Sequence, residues 1–206
     1  MHDLPLAVLA CTIWAYWTGV ALMVVRVRKQ TRTLAGAVPE DALERRMWLV
    51  WVPVIVAWIL LPSQAMGRQH WLLAVPGFAS EQPLLVVRGL AAVVAVACLA
   101  LTASVWRRMG KNWRMAVRVD RQGELITDGL FRYVRHPIYA ASIVLMACSV
   151  IVLPTLPMLL IALLHIVLML LKARNEERYL LAAYGDRYAA YSKATGRFFP
   201  RLMRTR

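Results

Sequence analysis

Arg135-His136-Pro137-Ile138-Tyr139 stands where a basic loop meets an apolar run, and Glu176-Glu177 follows the next apolar run. Within five residues this segment offers a fixed cation, an imidazole that can gain or lose a proton, and a phenol. Pro137 disfavours helical geometry at His136 and suits the first turn of a helix that begins there. A helix amino terminus presents unpaired N–H groups and a positive dipole end, so with Arg135 and His136 beside it the place suits a carboxylate or a phosphate. Tyr139 lies one turn further in, where its ring can line a pocket while its hydroxyl finds a polar partner. The alternative is an interfacial Arg/His/Tyr cluster of the kind that anchors membrane helices.

The acidic pair adds a second half to this chemistry. At 100° per residue, His165, Lys172 and Glu176 fall within about 20° of one helix face, and that face is expected to point toward the site. Lys172 and Glu176 are also spaced as an i,i+4 ion pair, and His165 has the competing reading of a hydrogen-bonded core residue. Glu177 and Arg174 point to other faces and read as structural. Between residues 107 and 137, Gly123 and Gly129 mark turns or places where the backbone can approach a ligand closely.

The elements that must position these groups are membrane helices. The chain has 206 residues, 60% of them hydrophobic and only 17% charged, too apolar for an ordinary soluble domain. The predicted fold is all-α and integral to the membrane, with about five spans: Leu4 to Val25, then 48–66, 84–106, 138–154 and 157–172. The second and the last two are short and are interrupted or bounded by Pro53, Pro62, Pro154 and Pro157. Met1-His2-Asp3 lacks the positive region of a cleavable signal, so the first span is expected to remain as a helix.

Segments 26–46, 107–135 and 172–206 hold 23 of the 25 Lys and Arg residues, which predicts that these segments are cytosolic, with the amino terminus outside. Arg88, near the far end of the third span, is expected to snorkel to the interface. Charge placement of this kind accounts for the net +14 without nucleic acid, and attraction to anionic headgroups is its expected consequence. Cys11, Cys98 and Cys148 lie within apolar spans, show no metal-ligand spacing, and read as packing residues. The chain reads as one transmembrane domain, with residues 1–106 a helical scaffold and residues 107–206 the chemically active part.

In order and spacing, these residues resemble the isoprenylcysteine carboxyl methyltransferase and phospholipid methyltransferase group of membrane enzymes. The resemblance covers roughly residues 107–201. It is carried by Gly123-Glu124-Leu125-Ile126-Thr127-Asp128-Gly129-Leu130-Phe131-Arg132-Tyr133-Val134 leading into the Arg135-to-Tyr139 motif. Glu176-Glu177 with Leu180, Tyr184-Gly185-Asp186-Arg187-Tyr188 with Tyr191, and Arg197-Phe198-Phe199-Pro200 complete it.

The resemblance implies S-adenosylmethionine as cofactor, in a cytosolic pocket closed by the 107–137 loop and the C-terminal segment. Gly123, Glu124, Leu125, Ile126, Phe131, Arg135, His136, Pro137, Ile138, Tyr139 and Glu176 would line the cofactor site. Lys172 falls where the family often places an arginine that faces the substrate, although it lacks the planar fork of arginine. Phe131 stands where a tyrosine is common. Lys172, Glu176 and His165 are the candidate catalytic residues, Glu176 and His165 being the groups able to take a proton from an amine or thiol acceptor. The expected partners are the bilayer and a lipophilic or small-molecule methyl acceptor, without a metal. Two competing functions are a sterol-type reductase using NADPH and a lipid-binding membrane protein without enzymatic activity.

Overall fold

A computed structural model describes residues 3–32, 39, 41–67, 73–115 and 125–201. The described chain is all-helical: α1 (Leu4–Thr31), α2 (Ala42–Gly67), α3 (Leu84–Met109), α4 (Pro137–Val152) and α5 (Leu156–Ala194). Short 3-10 turns lie at Gly77–Ser80, Gly110–Asn112 and Gly129–Arg132. Four of the helices, α1, α2, α3 and α5, are long and apolar enough to cross a membrane, and α4 is a shorter apolar helix. Five helices thus agree with the sequence expectation.

Local signals set the helix starts. The Asp3 carboxylate accepts from the Leu6 N–H at 3.0 Å, the Asp41 carboxylate accepts from the Glu44 N–H at 2.9 Å, and the Thr155 hydroxyl accepts from the Met158 N–H at 3.4 Å. Pro137 opens α4, as its position in the sequence predicts. The ends are less legible. The expected first span stops at Val25, yet α1 runs on through Arg26, Arg28 and Lys29, and it ends at Arg32 in the left-handed region. Similarly, α2 begins at Ala42 rather than 48, and α5 continues past 172 to Ala194. Lys, Arg and Glu are good helix formers, so an apolar run bounds the span but not the helix.

At 1.5 Å per residue the part of α5 before Gly185, residues 156–184, extends for about 44 Å, well beyond the hydrocarbon thickness of about 30 Å. Its apolar stretch ends at Leu171, so Glu176 and Glu177 stand beyond the spanning part. Gly185, at φ 51°, breaks the helix geometry and redirects its last turns.

In the core, α3 packs most extensively on α4 and next on α1, while α2 bridges α1 and α5. Buried Ala91, Ala92, Ala95 and Cys98 give α3 a small-residue stripe that permits close helix approach. Val86, Val87, Leu90 and Val93 on the same helix remain exposed, as a lipid-facing surface requires.

Arg88 departs from the snorkelling expectation. It is buried, and its guanidinium donates to the Val152 carbonyl at 2.9 Å, to the Ala79 carbonyl at 3.3 Å and to the Asp3 carboxylate at 2.5 Å. A charge at that depth is tolerated because every one of these contacts satisfies it. It ties α3 to both the start of α1 and the end of α4, at the end of the bundle opposite the site.

Candidate functional site

The Arg135-to-Tyr139 segment is held in place from below and from the side. Residues 133–136 run parallel to the C-terminal segment: the Gly196 N–H donates to the Tyr133 carbonyl at 3.1 Å, the Arg135 N–H to Gly196 at 2.9 Å, and the His136 N–H to Arg197 at 3.1 Å. Tyr191, carried beyond the break at Gly185, donates its hydroxyl to the Phe131 carbonyl at 2.7 Å. The C-terminal segment therefore closes on the motif, as the resemblance implied.

Glu177 is the hub beneath that closure. Its carboxylate accepts from Arg135 Nε at 3.0 Å and from Arg197 Nε at 3.0 and 3.1 Å, with a further short contact from the Arg197 fork. His136 Nε2 lies 3.3 Å from the same carboxylate. The Arg135 fork also donates to the carbonyls of Ser192, at 2.8 Å, and Thr195. Burial alone would raise the Glu177 carboxyl, but hydrogen bonds from His136, Arg197 and Arg135 outweigh it and hold it well below the usual carboxylate range. Arg135 is thus engaged by the closure, and the structural reading of Glu177 corresponds to what it does.

Glu176 faces the other way, into a cavity. Tyr139 donates its hydroxyl to Glu176 Oε2 at 2.8 Å, and His136 Nδ1 lies 3.6 Å from the same oxygen. The His136 and Tyr139 rings stack, with centroids 5.2 Å apart and planes 7° from parallel. One ring face and one carboxylate are therefore presented together at the start of α4.

A cavity with about 750 Å³ of empty space, counting its open mouth, lies on this side. Phe131, Arg135, His136, Pro137, Ile138, Tyr139, Lys172 and Glu176 all contribute to its wall, together with Arg114 and Met115. Leu125 and Ile126 are described but are not part of this wall, and Gly123 and Glu124 lie outside the described residues. The cavity then continues inward between rings that sequence reasoning missed: Tyr16 and Trp17 on α1, Trp51 on α2, Trp106 on α3, and Trp113. The cavity wall is therefore not confined to the second half of the chain, because the first three helices build its inner part. The only prior signal was the aromatic content of the first three spans, which reads equally well as packing.

Lys172 does not pair with Glu176 as their spacing allows. Its amine donates to Glu44 Oε1 at 2.9 Å, and both side chains are buried, at 4% and 1% exposure. Nearby, Asp41 accepts from the Tyr179 hydroxyl at 2.7 Å and from the Asn175 amide at 3.2 Å, so the start of α2 is sewn to α5. Those bonds outweigh burial and lower the Asp41 carboxyl. Removing Glu44 alone should strand the Lys172 charge, at about 3–5 kcal/mol, whereas Glu44→Gln with Lys172→Met should cost far less. Denaturation midpoints of the two single variants and the double variant in detergent check this. Equal costs for the double and the singles would contradict it.

His165 is buried and does not contribute to the cavity wall. Its Nε2 lies 2.8 Å from Ser142 Oγ, which does, and its ring packs on Trp58 with centroids 5.2 Å apart. Nδ1 is buried without a hydrogen-bond partner. Of the three candidates on α5, Lys172 and Glu176 meet the cavity directly and His165 meets it only through Ser142.

Fold and site together define a multi-helix integral membrane protein whose polar mouth opens into an aromatic interior. Residues 90–182 match the model of the Isoprenylcysteine carboxyl methyltransferase (ICMT) family. Among solved structures, the fold is similar to that of the eukaryotic intramembrane Ras methyltransferase ICMT, with a TM-score of 0.55 and 19% identity. That similarity covers 88% of this chain and 61% of the other, so the chain spans under two thirds of that protein's length. No curated protein sequence matches the chain. The matched segment runs from within α3 to within α5 and takes in the Arg135-to-Tyr139 motif, Lys172, Glu176 and Glu177.

Proposed function

We propose that the protein is a membrane methyltransferase that moves the methyl group of S-adenosylmethionine to a lipophilic acceptor at the cytosolic side of the bilayer. The observation that carries this reading is one continuous cavity, with Glu176, His136 and Arg114 at its mouth and Tyr16, Trp17, Trp51 and Trp106 inside. A water-soluble, charged cofactor and an apolar acceptor need that pairing of surfaces. Arg28 and Lys29 in the last turn of α1, and Arg107 and Arg108 in the last turn of α3, lie at the mouth end, which supports a cytosolic mouth.

The residues at the mouth fit such a cofactor. Glu176, oriented by Tyr139, suits an ammonium group or ribose hydroxyls, while Arg114 and the first-turn N–H groups of α4 suit a carboxylate. The rings of Phe131 and Tyr139 suit an adenine face or a sulfonium, at about 0.5–2 kcal/mol for the cation–π part. When bound, S-adenosylmethionine supplies an electrophilic methyl group for in-line displacement. The protein's part is to align the acceptor and keep water out, which can account for most of the acceleration.

An acceptor carboxylate is nucleophilic as it stands, whereas an amine or thiol must first lose a proton. Glu176 is the better placed of the two candidate bases. A proton passed to His165 through Ser142 would put a charge at bilayer depth with no carboxylate among its contacts. Lys172, neutralised by Glu44, helps shape the inner wall next to Trp51.

Membranes containing the protein, given methyl-labelled S-adenosylmethionine with S-farnesylcysteine or a lipid extract, should yield label in the organic phase. Folded protein that binds S-adenosylmethionine yet labels neither acceptor pool would overturn the assignment of methyl transfer.

A further inference from the structure

Gly19 lies in the middle of α1, between two residues of the cavity wall, Tyr16 and Val20. Glycine in a helix interior costs roughly 0.5–1 kcal/mol relative to alanine, so its presence there calls for a compensating contact. That contact is Trp106. A Cβ added at Gly19 would stand 2.5 Å from Trp106 Cζ3 and 3.0 Å from Cη2, closer than atoms can approach without movement. The far edge of the indole lies directly on the α1 backbone, in space that only glycine leaves.

Two further observations show what depends on this. Trp106 is itself part of the cavity wall, and its ring is 5.5 Å from that of Tyr16 at 52°. Its Nε1 is buried without a hydrogen-bond partner, as are those of Trp17 and Trp51 in the same wall. By contrast, Trp58, deeper in the core, is pinned by a 3.0 Å bond from Nε1 to Ser149. Packing alone therefore holds the Trp106 indole. The cheapest response to a larger residue at position 19 is for that ring to swing away from α1.

We propose that Gly19 is a specificity-determining residue: by letting the Trp106 indole lie against α1, it sets how long an apolar chain the inner cavity accepts. The acceptor class implied is a lipid with an extended apolar chain whose reactive head lies toward Glu176. This inference rests on the reading of the cavity as the acceptor site, but not on methyl transfer itself.

The test compares wild type, Gly19→Ala, Trp106→Leu and the double variant, each reconstituted with S-adenosylhomocysteine. Binding of dimethylallyl-, geranyl-, farnesyl- and geranylgeranyl-cysteine is followed by tryptophan fluorescence, and transfer of labelled methyl is scored separately. Gly19→Ala should weaken the two longest ligands by about tenfold, leave the two shortest and S-adenosylhomocysteine within about twofold, and be rescued by Trp106→Leu. A uniform loss across the series, no loss, or failure of Trp106→Leu to rescue a folded Gly19→Ala protein would overturn the proposal. Chain-length-dependent binding without transfer in wild type would defeat the methyltransferase reading and leave this one standing. No binding of any chain by wild type would defeat both.

Discussion

Glu176→Gln is expected to lower the affinity for S-adenosylmethionine by about tenfold to a hundredfold while leaving the protein folded and inserted in the membrane. The estimate follows from the value of a hydrogen bond to a charged group, about 1.5–3 kcal/mol. Glutamine keeps the shape and an acceptor for the Tyr139 hydroxyl, which lies 2.8 Å from Oε2, so the wall stays in place. What it removes is the negative charge offered to an ammonium or to ribose hydroxyls. His136→Ala should weaken binding as well, since the ring stacked on Tyr139 forms part of the same wall. Equilibrium titration of both variants, with size-exclusion profiles to establish folding, measures the effect. Unchanged affinity in two well-folded variants would mean that the cofactor pocket lies elsewhere.

Glu177→Ala is expected to destabilise the closure of the C-terminal segment strongly. It leaves Arg135, with 10% of its side chain exposed, without its carboxylate, and removes the partner of Arg197 and of His136 Nε2. Stranding a buried charge costs about 3–5 kcal/mol, and the partial exposure of Arg197, at 36%, argues for the lower end of that range. Because the C-terminal segment covers the motif through these contacts, the variant should also lose cofactor affinity.

The pH dependence carries a definite sign. The folded carboxyl of Glu177 ionises well below its unfolded value, so its contribution is fully present above the ordinary carboxylate range near pH ~4.3. It is lost as pH falls below that range toward the folded value. Thermal melts in detergent should therefore show a wild-type advantage at neutral pH that narrows under acid. An advantage that is constant with pH would contradict the role given to this carboxylate.

What could be read from the sequence followed from local rules. Pro137 marked the start of α4, apolar runs marked the spans, and the ordered motifs brought Phe131, His136, Tyr139 and Glu176 to one cavity. Long-range pairings were not legible in the same way. Glu44 and Lys172 are 128 residues apart, and helical spacing offered Lys172 a nearer partner in Glu176. A carboxylate within a turn of a spanning segment has to find a cation, and that was the available clue to Glu44. Arg88 is a second such case: snorkelling is the default for an arginine near a helix end, whereas Asp3 and two carbonyls satisfy it internally. The aromatic inner wall was hidden for another reason: packing and ligand contact ask for the same residue types, and only the geometry of a cavity separates them.

Calorimetric titration of the detergent-purified protein with S-adenosylmethionine, S-adenosylhomocysteine and NADPH, under identical conditions, tests the central claim most directly. Saturable binding of both adenosyl ligands, without binding of NADPH, is the predicted result. Binding of NADPH alone, or of none of the three by demonstrably folded protein, would contradict it.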